Sequence, residues 1–156
     1  MKNAPRYAPS PQMTVLVIED QMGYRELICE AIADLFLDVM IWSAKDGQDA
    51  WDLLTSSLDI DDAKKCHPDL VITDLNMPRS SGLDFLKRLR KTEYFKTIPV
   101  IIFSTSKDEF DIVSCYEAQA NCFVTKPADI DTFFEVVQSI VKFWFGIATL
   151  PTKIII

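Results

Sequence analysis

The chain has 156 residues, 49% of them hydrophobic and 25% charged, with a formal net charge of -7. That length holds one domain with a real core, and the composition is that of a folded protein rather than a disordered one. The acidic balance argues against a nucleic-acid partner, and no apolar run approaches the roughly 20 residues that span a membrane.

Residues 1–12 carry three prolines and no apolar core, so they read as a flexible lead-in and not as a signal peptide. A cytoplasmic location is therefore expected. The four cysteines (29, 66, 115 and 122) form no CxxC pair, and His67 is the single histidine. A zinc site is not indicated, and free thiols suit a reducing compartment.

Thr14–Ile18 is a β-rich apolar run that ends in acid, at Glu19 and Asp20. Leu27, Ile28, Ala31, Ile32, Leu35 and Phe36 then give a helical stripe over Gly23–Leu37. Val39–Trp42 reads as a short strand. After a turn at Asp46 and Gly47, Ala50, Trp51, Leu53, Leu54 and Leu58 mark a second helix. Asp59–Pro68 is polar and lacks the glycine and terminal glutamate of a calcium loop, so it reads as solvated.

The stretch Asp69–Pro78 (DLVITDLNMP) holds a strand buried on both faces, Leu70–Ile72, followed by Asp74. Ser81 and Asp84 form a capping box for a third helix, Leu83 to about Lys91. Its cluster Lys87, Arg88, Arg90 and Lys91 reads as a solvated face. Ile98–Phe103 is a fourth strand, ending on Ser104, Thr105 and Ser106. Ser106 with Glu109 suggests a cap for a helix from about Asp108 to Ala118. Asn121–Val124 is a fifth strand, ending at Thr125, Lys126 and Pro127. Asp129 caps a last helix to about Phe145.

The β-α order repeated five times predicts an α/β fold, a parallel sheet with helices on both faces and right-handed crossovers. In such sheets ligands sit at the carboxyl ends of the strands. Those ends carry Glu19 and Asp20, then Asp74, then Ser104 and Thr105, then Lys126; the second strand adds nothing comparable. Converging carboxylates repel one another, so a cation is needed to keep them charged. Few hard oxygen ligands suit Mg²⁺, and Lys126 is a compact positive charge. This set suits attack by the Asp74 carboxylate on a phosphoryl group. Ser104 is placed to donate a hydrogen bond to it, and no strong general base stands nearby. A haloacid-dehalogenase-like phosphatase or phosphotransferase is the alternative. It needs a second acid two residues after the nucleophile, where this chain has Asn76.

The acidic pair Glu19-Asp20, the run Asp74-Leu75-Asn76-Met77-Pro78, the PVIIFS strand ending on Ser104, and Lys126-Pro127 together resemble the receiver domain of two-component response regulators. The likeness covers about Met13–Phe145. It implies a flavodoxin-like (βα)5 sheet in the order 2-1-3-4-5. It implies a phosphoacceptor at Asp74, and Mg²⁺, with Mn²⁺ as an alternative ion, held by Asp20, Asp74 and the backbone carbonyl of Asn76, with Glu19 close by. It further implies a switch hydroxyl at Ser104, Phe123 as the aromatic switch partner, and a histidine kinase or phosphotransfer protein as phosphoryl donor. Thr105 stands where the family often has a smaller residue, which predicts hindrance to attacking water. Phe123 lacks a tyrosine's hydroxyl.

Phe143–Pro151 (FWFGIATLP) after the fifth helix and Asn121–Ile130 (NCFVTKPADI) before it further resemble the small stand-alone regulators that partner bacterial phytochromes. The expected organisation is a lead-in at 1–12, a receiver domain at 13–145 and a tail at 146–156, packed on the domain or in a dimer contact. With only eleven residues after Phe145, output is expected by protein contact or by passing the phosphoryl group on. The last helix looks apolar nearly all round, from Phe133 to Phe145, which predicts a homodimer through it.

Overall fold

The computed structural model describes residues 12–35, 37–56 and 67–151. Among them the strands are β1 (Met13–Ile18), β2 (Val39–Ala44), β3 (Leu70–Thr73), β4 (Val100–Ser104) and β5 (Cys122–Thr125). They form one sheet in the order β2-β1-β3-β4-β5, every neighbouring pair parallel. The helices are α1 (Met22–Ala33), α2 (Gly47–Thr55), α3 (Gly82–Lys91), α4 (Glu109–Glu117) and α5 (Ile130–Lys142). The doubly wound α/β architecture and its strand order are those expected.

The sheet is apolar on both faces because both are covered. Side chains alternate across a strand, and the core divides accordingly. Leu16, Ile18, Val71, Val100 and Ile102 join Ala50, Leu54, Phe85, Leu86, Leu89 and Cys115 beneath α2, α3 and α4. Val15, Val17, Leu70, Ile72, Ile101 and Phe103 join Ile28, Ala31, Ile32, Phe133, Val137 and Val141 beneath α1 and α5. This explains why β1, β3 and β4 read as unbroken apolar runs.

Helix starts follow their caps. Ser81 accepts from the Asp84 amide and Asp129 from the Thr132 amide, as expected. The α4 cap differs. Asp108, not Ser106, accepts from the amides of Phe110 and Asp111, while the Ser106 hydroxyl donates to Asp111 Oδ2 at 2.6 Å. A carboxylate one residue from the helix reaches its free amides directly; Ser106 lies two residues too early. α1 ends at Ala33 rather than Leu37, and β2 runs on to Ala44. Residues 1–11, Phe36, residues 57–66 with Leu58 and Cys66, and residues 152–156 lie outside the described residues, and with them the readings made there.

Two surface readings need correction. α5 is not apolar all round, because Asp131, Thr132, Glu135, Ser139 and Lys142 form an exposed polar face. The apolar excess sits beyond it, in a π-helical turn at Phe143–Ile147. There Trp144 and Phe145 pack on the core while Phe143 and Ile147 are exposed. In the basic cluster, Arg90 is not a solvated charge. Its guanidinium donates to the carbonyls of Gln119, Lys96 and Ile98 and to Asn121 Oδ1. Arg88 lies 4.0 Å over the Trp51 ring.

Candidate functional site

Register brings the acids together. β1 and β3 are neighbours, with Ile18 opposite Thr73. The next residue on each strand, Glu19 and Asp74, therefore emerges at the same edge, and the Asp74 amide donates to the Ile18 carbonyl at 2.9 Å. Carboxylate oxygens of Glu19, Asp20 and Asp74 lie within 4.8 Å of one another. β4 ends at Ser104 opposite Thr125 of β5, and the Lys126 amide donates to the Ser104 carbonyl at 2.8 Å. Glu19, Asp74, Ser104 and Lys126 are all buried.

The ammonium of Lys126 crosses from β5 to β1. It donates to Glu19 Oε2 at 2.7 Å and lies 3.4 Å from Asp74 Oδ2. One cation thus serves two of the three carboxylates. Burial pushes the Glu19 carboxyl up to about 7; the Lys126 hydrogen bond opposes the rise and the charge of Asp74 adds to it. Asp74 Oδ1 accepts from the Leu75 amide at 2.7 Å. Asp20 Oδ1 is buried with no hydrogen-bond partner. A buried carboxylate oxygen without a donor, beside two further carboxylates, is the donor set of a hard divalent cation. Asp20 and Asp74 fit the ligand role, with Glu19 as third acid, and Asn76 follows on the exposed loop leaving β3.

Other expected residues sit around this centre. Ser104 Oγ accepts from the Ser106 amide at 3.2 Å, and Thr105 is exposed beside it. Phe123 is half-buried against the core, its amide donating to the Tyr116 hydroxyl at 3.1 Å. The described cysteines are free, and burial raises all three thiols, Cys115 to about 11, so none is a ready nucleophile.

The loop after Asp74 is held by residues whose role the sequence did not mark. Arg79, at φ 63°, pairs in two bonds with Asp46, 2.8 Å from Nε to Oδ2 and 3.2 Å from Nη2 to Oδ1. Asp46 caps α2 through the Asp49 amide. Burial works against its charge, but the Arg79 hydrogen bond and charge and the amides of Asp49 and Gln48 outweigh it and hold the carboxyl below its usual range. Asp46 lies two residues beyond β2 and so ties the turn after that strand to this loop. The Gly47 amide donates to the Ser80 carbonyl at 3.0 Å, closing the same junction. A Cβ at Gly82 would collide with the carbonyl oxygen of Asp74, so only glycine lets α3 start this close to the site.

Comparison with known proteins gives this geometry a family. The model of the response regulator receiver domain matches residues 15–138. The chain is 30% identical over 142 residues to the response regulator Rcp1 of Synechocystis sp. (strain ATCC 27184 / PCC 6803 / Kazusa), covering 91% of this chain and 95% of that protein. It superposes on the phosphorylated cyanobacterial phytochrome response regulator RcpA with a TM-score of 0.83 and 33% identity, covering 90% of this chain and 99% of that one. The Mn²⁺-bound form of Rcp1 superposes with a TM-score of 0.81 and 29% identity, covering 90% and 99%. The haloacid-dehalogenase alternative finds no support in these matches. With its sheet order, its acidic edge and these relatives in agreement, the chain belongs to the response regulator receiver domain family.

Proposed function

We propose that Asp74 is the phosphoacceptor of a phosphorelay, charged by a histidine kinase or a phosphotransfer protein. The observation that carries this is the grouping of Glu19, Asp20 and Asp74, with the Lys126 ammonium against Glu19 and Asp74 and a buried Asp20 oxygen lacking any donor. A carboxylate oxygen of Asp74 forms a bond to phosphorus as the donor's P–N bond breaks, its electron pair staying on the imidazole nitrogen. A bound Mg²⁺ or Mn²⁺, on Asp20, Asp74 and the Asn76 carbonyl, supplies charge neutralisation for the phosphoryl oxygens. Lys126 turns from Glu19 toward one of those oxygens, and Ser104 donates to another.

The product is a bias, not a released compound. A phosphoryl group adds about -1.5 to -2 charge at Asp74. The ends of β4 and β5 respond, and with them a surface read by a partner protein. Apart from its own phosphorylation and a slow self-hydrolysis the chain has no catalytic turnover. A phytochrome-type kinase as donor is supported by the description of RcpA as a phytochrome response regulator. A homodimer through the end of α5 is supported by the exposed Phe143 and Ile147; sedimentation as a strict monomer at micromolar concentration refutes it.

Intact-mass measurement after incubation with Mg²⁺ and acetyl phosphate tests the central reading. One phosphoryl group is expected on the wild type and none on Asp74→Asn. Equal modification of both, or none of either under saturating donor, overturns it.

A further inference from the structure

The ammonium of Lys126 has a third neighbour besides Glu19 and Asp74. The ring of Tyr24 lies over it, with its centroid 4.0 Å from Nζ. Tyr24 stands in the first turn of α1 and is half-buried. Its ring stacks on Phe133 of α5, centroids 5.9 Å apart and planes 16° from parallel, and Phe133 packs on Phe103 at 5.1 Å. Phe133 and Phe103 are both fully buried, so the ring over Lys126 rests on a rigid support.

We propose that Tyr24 is a positioning residue for Lys126, keeping its ammonium at the phosphoacceptor while it exchanges one anionic partner for another. The inference rests on Asp74 being the phosphoacceptor. In the unmodified protein Glu19 is the nearer anion, at 2.7 Å against 3.4 Å for Asp74. A new charge on Asp74 draws the ammonium away from Glu19. Lysine is a point charge on a flexible four-carbon stem, so an ion pair alone does not fix its place during that exchange. The ring does, because its negative face attracts the cation whichever carboxylate or phosphoryl oxygen lies on the other side. Lys126 is 1% exposed in its side chain, so the ring replaces water as the neighbour on that side. The same stack joins α1 and α5 to the site, so their packing sets where the ammonium rests.

The test uses the full chain and acetyl phosphate. Tyr24→Phe keeps the ring and is expected to be phosphorylated within about twofold of the wild-type rate. Tyr24→Leu keeps apolar bulk without the ring; its rate at saturating Mg²⁺ is expected to fall about thirtyfold, the size of a desolvated cation–π contact. Its Mg²⁺ affinity is expected to stay unchanged, since the recorded contacts of the Tyr24 ring are with Lys126 and Phe133. Proton NMR supplies a readout that needs no loss of packing. The ε-methylene signals of Lys126 are expected upfield from the ring current in wild type and Tyr24→Phe, and to remain so after addition of beryllium fluoride as the phosphoryl mimic.

A Tyr24→Leu rate equal to wild type, a Tyr24→Phe rate as low as Tyr24→Leu, or loss of the upfield shift with the mimic each overturns the assignment. The NMR arm decides the case even where Tyr24→Leu does not fold. A wild type that gains no phosphoryl mass refutes the Asp74 reading itself, a result distinct from the other three.

Discussion

Gly82→Ala adds a single carbon, and the structure says where it goes. The new Cβ overlaps the carbonyl oxygen of Asp74 and stands 3.0 Å from its carbonyl carbon and 3.2 Å from Leu75 Cα. All three obstacles are backbone, so no rotamer relieves them. A carbon and a carbonyl oxygen need about 3.3 Å, so the start of α3 has to retreat by about 1 Å. That retreat breaks the 2.8 Å bond from the Gly82 amide to the Leu75 carbonyl. Overpacking costs roughly 1–3 kcal/mol and the lost hydrogen bond about 1. Alanine returns at most about 1 through helix propensity. The expected net loss is about 2 kcal/mol, or a fall in melting temperature of roughly 8 °C for a domain of this size. Because Asp74 carries the obstructing carbonyl, Mg²⁺ affinity and phosphorylation are expected to fall as well. Gly23→Ala is the matched control. Gly23 lies in α1, where an added Cβ would meet nothing within 4 Å, so the same change is expected to stabilise by about 0.5 kcal/mol or slightly more. Thermal unfolding of the two variants followed by circular dichroism reads both signs. A Gly82→Ala midpoint within about 2 °C of wild type refutes the reasoning.

Glu19 ionises near 4.5 in the unfolded chain and near 7 in the folded one. Its contribution to stability in metal-free protein is therefore fully present below about 4.5 and lost as pH rises through about 7. Mg²⁺ affinity is expected to move the other way, rising over the same window; titrations in urea and in Mg²⁺ between pH 5 and 8 check both, and a flat profile contradicts the assignment. Asp46→Ala is expected to lose the α2 cap, about 1 kcal/mol, whereas Asp46→Asn keeps a cap acceptor and loses less; equal urea midpoints for wild type and Asp46→Ala exclude the cap role. Both variants release Arg79 and are expected to weaken Mg²⁺ binding. Thr105→Ala is expected to shorten the phosphoryl lifetime several-fold, followed by loss of the phosphorylated mass after donor removal; an unchanged lifetime removes Thr105 as a shield against water.

The fold was largely legible because each device acts over a short stretch. Buried runs such as Val15–Ile18 and Val100–Phe103 follow from helices covering both faces. Ser81 and Asp129 lie within three residues of the amides they cap. The site was legible through topology, since parallel strands deliver Glu19, Asp74, Ser104 and Lys126 to one edge. The pairing within it was not. Lys126 and Glu19 are 107 residues apart, and charge alone does not say which carboxylate it prefers. Arg79 adopts φ 63° without being glycine, so nothing local marked it as the partner of Asp46. Tyr24 left no signal either, because its role arises only where α1, α5 and β5 meet. The apolar stripe of α5 was overread because Phe143–Phe145 belong to a separate π-helical turn.

Arg90 gives the β4–β5 pair two unequal ends. Its side chain ties the carbonyls of Lys96, Ile98 and Gln119 to Asn121. Val100 and Asn121 are further joined by two bonds of 2.9 Å. At the opposite end the two strands are joined by the main-chain bond from Lys126 to Ser104. The pair is thus tied by side chains at one end and by main chain alone at the other, where its ladder runs on to Ser104 opposite Thr125. A push at Ser104 has a sideways route, through Ser106 and its bond to Asp111, into α4.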